Sequence, residues 1–100
     1  MSRFYKMEIN IQQVQKKNIK KIIKACQEQW EWENIESRKA DKGKLYYIFG
    51  EGRENLYAHT SENDFAENLA KQIKKVDGKC KINVGATCLE NLPDSTYTFN

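Results

Sequence analysis

Apolar and polar residues alternate at the start of the chain, where Tyr5, Met7, Ile9 and Ile11 are separated by Lys6, Glu8 and Asn10. A period of two sends successive side chains to opposite faces, so this stretch predicts a strand with one buried face. The period then changes. Ile19, Ile22, Ile23, Cys26 and Trp30 recur at spacings of three and four, with Lys16, Lys17, Lys20, Lys21 and Lys24 on the other side, which predicts an amphipathic helix over 16–29. Residues 32–38 and 44–49 predict two strands joined by Lys39-Ala40-Asp41-Lys42-Gly43, with Gly43 supplying the positive φ of a hairpin turn. The second of these, Leu45-Tyr46-Tyr47-Ile48-Phe49, is apolar on both parities and is expected in the sheet interior. Gly50-Glu51-Gly52 lacks the third glycine of a dinucleotide fingerprint and is expected as a turn that opens a loop over 50–60.

Ser61 is placed to cap a second helix whose buried stripe is Phe65, Leu69, Ile73 and Val76, with Gly78 just past its end. Cys80, Ile82, Val84, Ala86 and Cys88 alternate with Lys81, Asn83, Gly85 and Thr87 and predict a last strand before Pro93 and a short tail. Strand, helix, strand, strand, helix, strand is the order of the ferredoxin-like βαββαβ unit. The expected fold is therefore α+β: a four-stranded antiparallel sheet with both helices on one face. One hundred residues make a single domain over 1–100, expected as a monomer or homodimer.

Chain direction flips at each element of such a fold, so charges distant in sequence gather at two ends. Lys16, Lys17, Lys20 and Lys21, the hairpin cations Arg38, Lys39, Lys42 and Lys44, then Lys71, Lys74, Lys75, Lys79 and Lys81 fall at one end against Asp41 and Asp77. Glu28, Glu31, Glu33, Glu51, Glu54, Glu62, Asp64, Glu67, Glu90 and Asp94 fall at the other, with Arg3 and Arg53. The formal net charge of +3 thus hides a two-ended molecule, each end an electrostatic contact surface. Lysine-rich helix faces are also ordinary solvated surface, and only convergence of separate segments argues for more.

At the acidic end Trp30, Glu31, Trp32 and Glu33, with Glu51, Arg53 and Glu54, form a candidate site in which an indole anchors and carboxylates pair with a partner's basic groove. One indole is expected to face the core. At the basic end Lys16, Lys17, Lys20, Lys21, Lys42, Lys44, Lys71, Lys74 and Lys75 are the candidate nucleic-acid contacts. Tyr46, Tyr47 and Phe49 raise base stacking on an open sheet face, although Lys44 stands where the RNA-recognition motif has an aromatic, and the first strand lacks the partner motif.

Catalytic chemistry is not expected. His59 is the only histidine and no cysteine or serine has a base beside it in sequence, so neither a histidine metal cluster nor an activated nucleophile is predicted, and no metal or cofactor is implied. Three cysteines without a close-spaced pair fit reduced thiols; Cys80 and Cys88 on one strand would lie roughly 26 Å apart. No apolar run reaches the ~20 residues of a membrane span and no signal-peptide pattern follows Met1. The cytoplasm is the expected compartment.

Met7-Glu8-Ile9-Asn10-Ile11, Ile22-Ile23-Lys24-Ala25-Cys26 with Trp30, Gly50-Glu51-Gly52, Phe65-Ala66-Glu67-Asn68-Leu69-Ala70 and Ala86-Thr87-Cys88-Leu89-Glu90-Asn91-Leu92-Pro93 followed by Thr96-Tyr97-Thr98-Phe99 carry a resemblance. The chain resembles a family of small uncharacterised proteins of phages and mobile elements of low-GC anaerobic bacteria. Relatives carry a Cys-Gly-Gly stretch after the Gly-x-Gly turn and an acidic tail, which this chain lacks. The resemblance implies a non-enzymatic anti-defence protein, including the anti-CRISPR kind, that binds a host defence protein or ribonucleoprotein such as a CRISPR effector in the host bacterial cytoplasm. It would bind through the acidic end or the loop over 50–60. The alternative is a nucleic-acid-binding accessory protein, with RNA among its ligands, that uses the lysine end.

Overall fold

The structure is a computed structural model that describes residues 3–40, 43–56, 60–89 and 95–99. Lys42, Asp41, His59, Glu90, Pro93 and Asp94, on which several expectations fall, lie outside the described residues. The elements are β1 (Arg3–Gln15), a 3-10 turn (Lys16–Asn18), α1 (Ile19–Gln29), β2 (Asn34–Lys39), β3 (Leu45–Leu56), α2 (Glu62–Val76), β4 (Lys81–Cys88) and β5 (Ser95–Phe99). All strand pairs are antiparallel, in the order β2-β3-β1-β4-β5. The fold is α+β with a sheet of five strands, not the expected four. The extra strand comes from the stretch expected as a tail. After Ser95 its residues alternate β-branched and aromatic, and Tyr97 and Phe99 stand opposite Val84 and Ile82 and pack on the core.

The alternation seen at the start of the chain becomes burial. Tyr5, Met7, Ile9 and Ile11 of β1 and Ile82, Val84, Ala86 and Cys88 of β4 are buried on one face, together with Ile22 and Cys26 of α1 and Phe65, Ala66, Leu69, Ala70 and Ile73 of α2. Both helices therefore cover the same side of the sheet, and among the described residues no helix covers the other, open side. β1 runs four residues beyond its predicted end because it bulges: Ile11 pairs with Ile48 and Val14 with Tyr46, so Gln12 and Gln13 together face one position of β3. Gln13 takes φ 61. The extra residue flips the parity of the strand, which turns Val14 back into the core, where it is fully buried.

β3 is also longer than expected and contains Gly50-Glu51-Gly52, so the predicted turn and loop are replaced by strand as far as Leu56. The glycines answer a different need. The connector from α1 to β2 crosses over β3 here: a Cβ on Gly52 would strike the Glu31 carbonyl oxygen and come within 2.8 Å of Trp32 Cα, and one on Gly50 would lie 3.0 Å from the Asn34 carbonyl. At Gly52 only hydrogen fits between the two backbones, and at Gly50 a methyl would be tight. Gly43 does take the positive φ of the β2–β3 hairpin, at 91°, and the Ala40 N–H closes that hairpin on the Leu45 carbonyl at 3.0 Å.

Candidate functional site

The register of the strands decides which charges meet. Gln15 at the end of β1 stands opposite Leu45 at the start of β3, Lys39 at the end of β2 opposite Tyr46, and Gln12 opposite Lys81 at the start of β4. Lys16 and Lys17 follow Gln15 directly, so they share one end of the sheet with Lys39, Lys44 and Lys81. α2 runs antiparallel to α1 and brings its last turn, with Lys74 and Lys75, to the same end. The link is Asp77, which is 5% exposed. Its carboxylate accepts the Gln15 N–H and the Asn18 side-chain amide, each at 3.1 Å, and the Lys79 N–H at 3.2 Å. Burial alone would raise the Asp77 carboxyl, but these donors and the nearby Lys17 charge outweigh it and hold the pKa below the usual value.

Asp77 thus ties the Lys16–Asn18 turn to the chain entering β4. Its carboxylate hydrogen-bonds part-buried N–H groups and makes no ion pair with a lysine among the described residues. Of the expected basic-end residues, Lys16, Lys17, Lys20, Lys21, Lys44, Lys71 and Lys75 are exposed, and Lys74 is half-buried and donates to the Cys80 carbonyl at 3.0 Å. Lys39, Lys79 and Lys81, also expected at this end, are exposed as well. Among the described residues the ion pairs involve Lys6, Arg38 and Arg53, and none involves a lysine of this pole.

The acidic end is assembled by the crossing connector. The Glu33 N–H donates to the Glu51 carbonyl at 2.9 Å, the Glu33 carboxylate accepts the Arg53 N–H at 2.9 Å, and the Glu54 carboxylate accepts the Glu31 N–H at 3.0 Å. Glu31, Glu33, Glu51, Arg53 and Glu54 therefore do come together, but two of their carboxylates are engaged in holding the backbone. The indoles are engaged too. Trp30 is 5% exposed, donates from Nε1 to the Gly52 carbonyl at 2.9 Å and meets the Phe65 ring edge-on at 5.0 Å, which removes it from the expected anchor. Trp32 is half-buried and donates to the Cys26 carbonyl at 2.9 Å.

The open face of the sheet forms a third surface, ordered in rows by the register. Glu36, Phe49, Asn10, Asn83 and Thr98 lie side by side across the strands; toward the lysine pole come Arg38, Tyr47, Gln12 and Lys81, and toward the acidic pole Asn34, Glu51, Glu8 and Gly85. A shallow groove of about 800 Å³ runs along this face between Phe49, Asn10, Asn83 and the acidic row. Lys6 bridges Glu8 at 3.3 Å and Glu51 at 3.4 Å, and these two carboxylates, Glu8 foremost, raise its pKa. Tyr47 and Phe49 stack with centroids 5.9 Å apart and planes at 27°, and the Arg38 guanidinium lies 5.4 Å from the Phe49 centroid. Tyr46, grouped with them from sequence, packs against the core instead. Asn10, Gln12 and Asn83 were not singled out from sequence, since their alignment depends on register.

Among the described residues no three His, Cys, Asp or Glu side chains come together to hold a metal ion, and no helix is long and apolar enough to cross a membrane. All three thiols are buried. Burial first, and Cys80 second, push the Cys26 thiol up to about 12; burial also raises Cys80. Such thiols are poor nucleophiles.

No family model and no curated protein matches the chain. Its fold is similar to that of one solved structure, "De novo designed protein Foldit4", at 16% sequence identity and a TM-score of 0.55, over 84% of this chain and 96% of that one. That likeness concerns architecture alone.

Proposed function

We propose that this chain is a non-enzymatic binding protein that docks on the phosphates of a nucleic acid through its lysine pole. The observation that carries the reading is the convergence, by strand register and the Asp77 tie, of lysines from β1's exit, the β2–β3 hairpin, the end of α2 and the start of β4, with no ion pair to any of them among the described residues. Clustered unneutralised cations displace condensed counterions from nucleic acid, and that release drives binding. In the mobile-element setting that the sequence resemblance implies, the nucleic acid would belong to a host defence ribonucleoprotein, a CRISPR effector foremost, and binding would inhibit it. The β2-β3-β1-β4 order under two antiparallel helices supports a ferredoxin-like unit with β5 added at its edge.

A second reading, capture of a basic protein groove by the acidic pole, is favoured by the connector crossing that fixes Glu31, Glu33, Glu51, Arg53 and Glu54 at one end. Capture from a host lysate on the tagged protein, with and without nuclease, separates the two. The lysine reading expects the captured ribonucleoprotein to disappear after nuclease and with Lys16, Lys20, Lys75 and Lys79 changed to Glu. Capture that resists nuclease and those changes, but is lost on reversing Glu31 and Glu51, would overturn it in favour of the acidic pole.

A further inference from the structure

Resting on that reading, we propose that the nucleic acid held at the lysine pole is single-stranded, with its bases stacked on Tyr47 and Phe49 across the open face of the sheet. These two rings occupy alternate positions of β3 on the face that no helix covers, and neither belongs to the hydrophobic core or packs against it. They lie near-parallel with centroids 5.9 Å apart and make an aromatic strip along β3, continued by the exposed Leu45, in a face that apart from Phe4 is built mostly of amides, hydroxyls and charges.

The surroundings of the strip fix which polymer suits it. On the lysine-pole side lie Lys81 and Arg38, the latter paired with Glu36, and beyond them the lysines just described, so a phosphate backbone finds most of its cations on that side. On the opposite side Glu8 and Glu51 repel phosphate, and Lys6 is already held between them. A strand lying along the cationic row must therefore turn its bases inward, over the rings and toward the side chains of Asn10 and Asn83, which are paired across β1 and β4. Amides of this kind can hydrogen-bond exposed base edges, and ring stacking accepts every base because each has a flat π-face. A duplex offers phosphates but no free ring face, so it would touch the lysines and leave Tyr47 and Phe49 idle. Binding is thus expected to favour single strands without strong sequence preference.

Fluorescence anisotropy with a labelled short oligouridylate, an oligothymidylate and a mixed-sequence duplex RNA tests this. The wild type is expected to bind both single strands more tightly than the duplex. Tyr47→Ala and Phe49→Ala are each expected to weaken single-strand binding roughly tenfold or more, leaving duplex affinity unchanged. Phe49→Leu, which keeps apolar bulk without a ring, should weaken single-strand binding as well while far-UV circular dichroism stays that of the wild type. If the protein binds duplex as well as single strands and the ring variants change neither, the stacking inference is overturned while the lysine pole stands. If none of the three probes binds even at low salt, both fall together.

Discussion

Replacing Gly52 by alanine should be among the most damaging single-methyl additions this chain can receive, and replacing Gly85 in the same sheet among the mildest. A Cβ on Gly52 points at the Glu31 carbonyl oxygen and lies 2.8 Å from Trp32 Cα, both backbone atoms that no rotamer change can move. Accommodation means lifting the connector off β3. Overpacking of this kind costs about 1–3 kcal/mol, and lifting also stretches the bonds from Trp30 Nε1 to the Gly52 carbonyl, from the Glu33 N–H to the Glu51 carbonyl, and from the Glu31 and Arg53 N–H groups to carboxylates. Taking the middle of that range, ~2 kcal/mol, and ~1 kcal/mol for the weakening shared among these four bonds, which are stretched and not broken, a total of about 3 kcal/mol is expected. For a domain of this size that lowers the melting temperature by roughly 12–24 °C. A Cβ on Gly85 would meet only Glu8 Cβ, at 3.8 Å, and the stiffer unfolded chain should raise stability by about 0.4–1 kcal/mol. Thermal unfolding followed by circular dichroism measures both. Equal melting temperatures for Gly52→Ala and Gly85→Ala would refute the crossing of the connector over β3.

Asp77 makes stability depend on pH. Its folded pKa is depressed, so its contribution is fully present above the unfolded value near 3.8 and is lost as pH falls through the lower folded value. Asp77→Asn is expected to cost about 2 kcal/mol at neutral pH, since one amide oxygen cannot replace a carboxylate serving three donors. In urea titrations the gap from the wild type should narrow below pH 4, and a gap constant down to acid pH would contradict the tie. The buried thiols make a separate prediction: Cys26, with its pKa pushed up to about 12, and its neighbour Cys80 should react with a thiol reagent at pH 8 only as fast as the domain opens. Rapid stoichiometric labelling of both in the native protein would be incompatible with this packing.

Local pattern made much of this architecture legible. The alternation in β1 and β4, the Ser61 cap, whose hydroxyl accepts the Asp64 N–H at 3.0 Å, and the positive φ of Gly43 are all decided by neighbours in sequence. What the pattern missed depends on contacts between distant segments. Gly50 and Gly52 read as turn residues because a glycine looks the same whether it bends the chain or lets another backbone pass. β5 is short, and only pairing with β4 makes it a strand. Asp77 was counted as a stray acid among lysines, yet it organises them, because its partners Gln15 and Asn18 are about sixty residues away. The candidate poles followed from chain reversal alone. The row of Arg38, Tyr47, Gln12 and Lys81 needed the β1 bulge and the strand register, neither of which the periodicity carries.

The claim that the lysine pole holds nucleic-acid phosphate is tested most directly by the salt dependence of binding to a single-stranded RNA. The logarithm of the affinity should fall linearly with the logarithm of salt concentration, with a slope of about −0.7 for each phosphate contacted. Replacing Lys16 and Lys75, both exposed at the pole, by glutamine should make that slope shallower by about 1.4. An affinity that does not change with salt, or a slope that both replacements leave untouched, would contradict it.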